Sequence, residues 1–501
     1  MKVFLGNAPW SKPGYYGVRA GSRWPHFEEE HLEYVPFPFF LAYATAVLEE
    51  SGFDVLLVDA VPERICEGEF VERIERFGPD LIVLEVSTIS IETDLALVKR
   101  LRSELGRTVR IALCGLHEFM YYPRFLDEHD YVDFVLVGEY EYTLRELARA
   151  IDAGKKEFSE VKGLIWRDQS GKAVANPRRE PIRNLDELPW PARHFLPMYD
   201  YHDEPGSIPR PSVQMWASRG CPFKCIFCAW PQIMYGENRW RPRSIKDVVD
   251  EMEWLVKEWG FASVYFDDDT FNINRRRTIE FAEEVRRRNI GVPWAIMARA
   301  DLMDREVLTA LARAGLVSLK YGVESASQKL LNACGKKLKI ERVKEAVKMT
   351  HEMGIKMHLT FMFGLPGETI ETARETIKLA LELEPDSVQF TITTPFPGSR
   401  FYYQMEREGK LLTKDFSKYD GFRSAVIKTD NLSPEELEQI VSEANEIWNT
   451  FWWNRKFPDR RSTGQKILDL IKHPERIPGA IERLMKPWTY QHQKRLERLG
   501  K

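Results

Sequence analysis

Over residues 1–154, short runs that are apolar at nearly every position recur between helical patterns. The runs are VFL (3–5), DVLLVD (54–59), DLIVLEV (80–86), VRIALC (109–114) and YVDFVLV (131–137). The segments between them include FFLAYATAVLEESG (39–52) and FVERIERFG (70–78), each ending on Gly. A strand apolar on both faces must be covered on both faces, so the pattern demands a parallel sheet between helical layers. An α/β fold with an N-terminal doubly wound sheet follows. Ligands of such sheets bind at the carboxyl ends of the strands.

The same alternation returns over residues 212–400. Strands are expected at 212–218, 263–269, 293–298, 316–322, 356–364 and 387–393. The helix after the first of these is sharply marked: Ser244 caps it, Ile245, Val248, Met252, Leu255 and Trp259 form one apolar stripe, and Gly260 stops it. Six strand–helix units in succession predict a partial (β/α)6 TIM-type barrel with its chemistry at the C-terminal strand ends. Between the two sets, residues 155–211 read as a hairpin around Ser170-Gly171 and a proline-rich linker. Residues 401–501 read as a helical C-terminal region.

At 501 residues, with 44% apolar and 30% charged residues, the chain has the length and make-up of a soluble protein of two or three domains. No apolar run approaches the ~20 residues of a membrane span, and the start MKVFLGNAPW is too short for a secretory signal. A cytoplasmic address is expected, where thiols stay reduced. The net charge of −4 shows no bias toward nucleic acid. The charge is uneven, however. From Phe451 to Lys501 there are 13 Lys/Arg against 5 Asp/Glu, interleaved with Trp452, Trp453, Trp488 and Tyr490. Such a tail is either a solvated face or a surface for peripheral membrane contact, through anionic headgroups, or for a phosphorylated substrate.

Three of the six cysteines lie in RGCPFKCIFCAW (219–230), as Cys221, Cys225 and Cys228. Structural zinc asks for four protein ligands, and Cys66, Cys114 and Cys334 stand singly, as core cysteines do. Thiol redox chemistry uses one CxxC rather than three thiols. Three thiolates suit an iron–sulfur cubane that leaves its fourth iron open.

This CxxxCxxC loop, with Phe227 before the last Cys, resembles the signature of the radical S-adenosylmethionine superfamily. Matching pieces follow at successive strand ends: Asp267-Asp268-Asp269, Ala298-Arg299-Ala300-Asp301, Gly322-Val323-Glu324-Ser325, Gly364-Leu-Pro-Gly367-Glu368 and Thr394-Pro-Phe-Pro-Gly398. The resemblance implies a 4Fe-4S cluster on Cys221, Cys225 and Cys228. Its open iron chelates S-adenosylmethionine, and one electron yields a deoxyadenosyl radical that takes hydrogen from substrate. By the same resemblance Phe227 packs near adenine, Asp268 or Asp269 takes the methionine amino group, Arg299 takes its carboxylate, and Glu324, beside Ser325, holds the ribose. A one-electron reductant such as flavodoxin or ferredoxin is implied as partner.

The N-terminal sheet lacks GxGxxG, which disfavours a nicotinamide cofactor. Placed before such a barrel, it resembles the cobalamin-binding domain of the cobalamin-dependent branch. The matching stretches are Glu85-Val-Ser87-Thr88, Cys114-Gly115-Leu-His117 and Gly138-Glu139-Tyr-Glu141. Ser87, Thr88, Gly115, His117, Gly138 and Glu139 are thereby implied as cobalamin contacts. DxHxxG is absent, so a His of that motif does not ligate the lower face. The implied reaction is methylation of an unactivated carbon of a lipid-like or other secondary metabolite. Ring formation or rearrangement is the alternative, and a non-enzymatic corrinoid or iron–sulfur carrier is the rival of another class. The loop YYGVRAGSRWPHF (15–27) is long for a tight connection; it covers the corrin, reaches the substrate, or is a surface loop pinned by Trp24 and Phe27.

Overall fold

The computed structural model describes residues 1–12, 15–17, 28–29, 35–203, 205 and 208–456. Most of the 15–27 loop and the basic tail beyond residue 456 lie outside these. The five expected N-terminal strands form as Lys2–Asn7, Asp54–Asp59, Leu81–Ser87, Arg110–Leu116 and Phe134–Leu136. They pair in parallel in the order two, one, three, four, five. The order reverses between the first and third strands, and that crevice is the natural ligand site of such a sheet. Every residue of Leu81–Ser87 is buried, as a strand covered on both faces requires. Helix Glu67–Phe77 ends where Gly78 adopts a left-handed φ of 63°.

The hairpin around Ser170-Gly171 forms from Leu164–Arg167 and Ala173–Ala175. It extends the N-terminal sheet, because Leu164–Arg167 runs antiparallel to Phe134–Leu136. The segment is thus built into the first sheet rather than hung between domains.

The barrel strands are Ser212–Met215, Ser263–Phe266, Trp294–Ala298, Leu316–Glu324, Lys356–Phe363 and Ser387–Ile392. All pair in parallel in chain order, and the first and sixth do not meet, so the barrel is open. Odd-numbered residues of the fourth and fifth strands point outward: Leu319, Tyr321 and Phe361 are fully buried, and the Tyr321 hydroxyl meets Thr350 on an outer helix. Their even-numbered residues face the lumen, where Thr360 reaches Glu324, and on the sixth strand Ser387 and Gln389, paired with His358 and Thr360, share that face. Helix Ile245–Trp259 carries the cap on Ser244 and stops at Gly260, as read from the sequence. Of the C-terminal region, helices Arg400–Arg407 and Pro434–Lys456 are described, joined by largely irregular chain. Among the described residues no helix is long and apolar enough to cross a membrane.

Candidate active site

The cysteine loop leaves the first barrel strand and is held by its neighbours almost entirely through its backbone. Asp268, past the second strand, accepts from Ala217 N at 2.8 Å and from the Ser218 hydroxyl. Asp269 accepts from Gly220 N at 2.8 Å and from Tyr235 Oη at 3.2 Å. Gly220 has a φ of 84°, and a Cβ there would lie 2.0 Å from the Arg239 carbonyl; only glycine lets the chain turn into the loop. Gln232 Nε2 lies within hydrogen-bond reach of the Cys225, Ile226 and Cys228 carbonyls. Ile226 N donates to Cys334 O at 2.9 Å, and a Cβ on Gly335 would sit 2.5 Å from Lys224 O.

Held this way, the three thiols are half-buried. Burial raises the pKa of each, and Cys225 and Cys221 push Cys228 further up. At Cys225, Lys336 and Arg299 pull the other way. Three thiols that oppose one another's ionisation need a cationic centre to hold them as thiolates, and a metal cluster supplies one. Among the described residues no three His, Cys, Asp or Glu side chains group as ligands of one metal ion. A cubane suits this spacing, since each thiolate takes its own iron.

Glu324 ends the fourth strand at a φ of 70°. Its Oε1 accepts from Lys336 Nζ at 2.7 Å and its Oε2 from Thr360 Oγ1 at 3.3 Å. A Cβ on Gly322 would meet that carboxylate at 2.4 Å, so the Gly-Val-Glu order is a matter of room. Phe227 packs against Leu330, Cys334 and Leu365. The other residues implied as contacts have protein partners as well. Asp268 and Asp269 hold the loop backbone as described. Arg299 is bound by both oxygens of Asp301, at 2.9 and 2.8 Å, with its guanidinium 3.6 Å from the Phe223 ring centroid. Ser325 is fully buried and meets Thr376.

On the N-terminal sheet, Ser87, Thr88, Gly115 and His117 line the carboxyl edge of the third and fourth strands. His117 is buried at 3% exposure; its Nδ1 lies 3.3 Å from Thr88 Oγ1, and burial lowers its pKa to about 3. Past the first strand, Trp10 keeps its indole N–H buried without a partner among the described residues, a donor suited to an amide-rimmed macrocycle. The edge therefore fits cobalamin.

Gly138 and Glu139 also meet the barrel side of the molecule. A Cβ on Gly138 would meet Met234 O, beyond the cysteine loop, at 2.8 Å. Glu139 joins the two domains: Arg241 binds both its oxygens at 2.8 Å, Arg219 adds a contact at 3.3 Å, and Ile182 N donates at 2.8 Å. Arg219 Nη1 also lies 2.7 Å from Glu141 Oε1. Burial alone would raise the Glu139 pKa, but Arg219 and Arg241 outweigh it and hold the carboxyl below its ordinary value. Sequence reasoning missed Arg219, Arg241, Gln232 and Lys336. Arg219, placed two residues before Cys221, was the one signal on offer.

A family model described as the radical SAM superfamily matches residues 217–380, and one described as the B12 binding domain matches residues 30–148. An uncharacterised methyltransferase of Pyrococcus horikoshii is 30% identical over 407 residues, covering 81% of this chain and 86% of that protein. The chain belongs to the B12-binding branch of the radical SAM superfamily. An anaerobic magnesium-protoporphyrin IX monomethyl ester cyclase of Rubrivivax gelatinosus is also 30% identical, over 89% of this chain and 77% of that one. Among solved structures, OxsB with aqua-cobalamin and S-adenosylmethionine bound aligns at a TM-score of 0.67 with 16% identity, over 94% of this chain and 70% of that one. The methyltransferase TsrM from Kitasatospora setae aligns at 0.62 with 21% identity, over 81% and 76%. Both likenesses concern the fold. As a member of this branch the chain is an enzyme using a 4Fe-4S cluster, S-adenosylmethionine and cobalamin. It acts on a small molecule and needs a reductant.

Proposed function

We propose that the enzyme methylates an unactivated carbon of a lipid-like or other secondary metabolite, with Cys221, Cys225 and Cys228 holding the cluster and the carboxyl edge at Trp10, Ser87, Thr88, Gly115 and His117 holding cobalamin. When bound, the cluster supplies the electron that cleaves S-adenosylmethionine, and cobalamin supplies the methyl group. Glu324 is suited to a ribose diol, because a carboxylate accepts two hydrogen bonds, and Lys336 holds it in place. Phe227 offers an apolar wall for adenine.

The observation that carries this reading is the buried joint of Glu139 and Glu141 with Arg219 and Arg241. It ties the edge of the cobalamin-type sheet to the cysteine loop, so that methyl donor and hydrogen abstraction serve one chamber. The thiols must stay reduced to ligate, which favours a cytoplasmic setting and a flavodoxin- or ferredoxin-type electron donor. Membrane contact through the basic tail rests on the sequence alone.

The test is anaerobic incubation of the reconstituted enzyme with methyl-labelled S-adenosylmethionine and a host metabolite extract. Labelled product together with 5′-deoxyadenosine is expected. Deoxyadenosine with an unlabelled, dehydrogenated product would overturn methylation in favour of ring formation, the second reading, which the Rubrivivax gelatinosus relative favours.

A further inference from the structure

A TIM-type lumen is normally filled by layers of branched apolar side chains. Here the inward positions of the fourth to sixth strands include Ser318, Lys320, His358, Ser387 and Gln389. Strand pairing sets Lys320, His358 and Ser387 side by side on one level, and all three are half-buried. Ser318 is one inward step below Lys320 and fully buried.

Two of these groups, Lys320 and Ser318, carry donors without an acceptor, and His358 stands beside them. Among the described residues Lys320 forms no ion pair or hydrogen bond. Ser318 Oγ is buried without a partner. His358 Nδ1 lies 2.8 Å from Ser387 Oγ, and the ring also meets the Gln389 side chain. When Ser387 donates to Nδ1, the ring's own proton sits on Nε2, where Gln389 or a bound oxyanion can accept it. The ring stays neutral, since burial and the neighbouring Lys320 cation push its pKa down to about 3, against an opposing pull from Gln389. Donors that converge without an acceptor are the complement of an oxyanion. The level lies four residues before Glu324, roughly 13 Å down the strand at the usual rise, clear of the ribose acid and the cysteine loop.

We propose that Lys320, His358 and Ser318 form a binding site for an oxyanion of the substrate, a carboxylate or phosphate-type group, in the barrel lumen beneath the strand ends that carry the cofactors. This deepens the reading above and rests on the barrel being the reaction chamber. The substrate is then an acidic small molecule or an acid-headed lipid, anchored by its charged end with the reacting carbon toward the cluster.

The experiment uses the reconstituted enzyme with phenylphosphonate, benzoate and neutral benzamide as probes, followed by ligand-observed NMR. The two anions should bind and be displaced by inorganic phosphate, benzamide should not bind, and Lys320→Met should weaken the anions roughly tenfold. Equal binding of benzamide, or unchanged anion binding in Lys320→Met, would overturn the site. S-adenosylhomocysteine is titrated alongside. If Lys320→Met weakens it by the same factor and leaves benzoate untouched, the group held is the methionine carboxylate and the substrate assignment fails. Should Lys320→Met not fold, Ser318→Ala removes one donor with little change of shape and must weaken the anions as well. Failure to form 5′-deoxyadenosine would refute the proposed reaction while leaving the binding result standing.

Discussion

Glu139 and Arg241 face each other as a two-pronged ion pair, Nη1 to Oε2 and Nη2 to Oε1 at 2.8 Å each, with their side chains 2% and 3% exposed. One belongs to the cobalamin-type sheet and the other to the chain just past the cysteine loop. Breaking a buried pair leaves its partner charged and dry, which costs about 3–5 kcal/mol. Arg241→Met should lower unfolding free energy by that order in anaerobic urea denaturation. Loss below about 1 kcal/mol would mean that water reaches the joint.

Cys225→Ala should abolish the visible sulfur-to-iron absorption of the reconstituted enzyme and all 5′-deoxyadenosine formation. Cys114→Ser and Cys334→Ser should keep both, because neither thiol belongs to the loop. Iron retained at wild-type stoichiometry in Cys225→Ala would place the cluster elsewhere.

Gly220→Ala forces a Cβ to within 2.0 Å of a carbonyl at a φ of 84°. Left-handed strain of this kind costs about 1–3 kcal/mol before any clash. Since the turn sets the loop's path, bound iron per chain should fall along with stability. A variant with full iron content and unchanged melting would show that the loop tolerates a shift.

Glu368, in the Gly-Leu-Pro-Gly-Glu turn, accepts from Gly364 N and Leu365 N, yet burial raises its pKa from 4.5 to about 7. Its folded pKa lies above the unfolded one, so the folded chain holds the proton more tightly. The stability this lends is present below about pH 4.5 and is lost as pH climbs through 7. Between pH 5.5 and 8 the wild type should lose about 2 kcal/mol more than Glu368→Gln. Parallel pH profiles in the two proteins would contradict this.

The strands were legible because burial on both faces writes an unbroken apolar run, and helix Ile245–Trp259 because Ser244, its stripe and Gly260 are local signals. The cysteines were legible by spacing. Gly138 and Glu139 were not. They sit at a strand end where a ligand is expected, and their protein partners lie far off in sequence, with Arg219 and Arg241 80 and 102 residues from Glu139. Lys336 in Gly-Lys-Lys looks like surface charge until the fold brings it to Glu324. The pairing of Arg299 with Asp301, two residues on, likewise shows only once the chain is folded.

The shared charges of Glu139, Glu141, Arg219 and Arg241 have a consequence for how this enzyme can be taken apart. Cutting the chain between its sheet and its barrel would leave Arg219 and Arg241 without their carboxylates and open to water the aromatic wall of Phe40, Tyr43 and Trp216 against which Arg219 lies. Neither half is a portable part. Chimeras that swap one for a cousin's must carry the four matching residues across the splice.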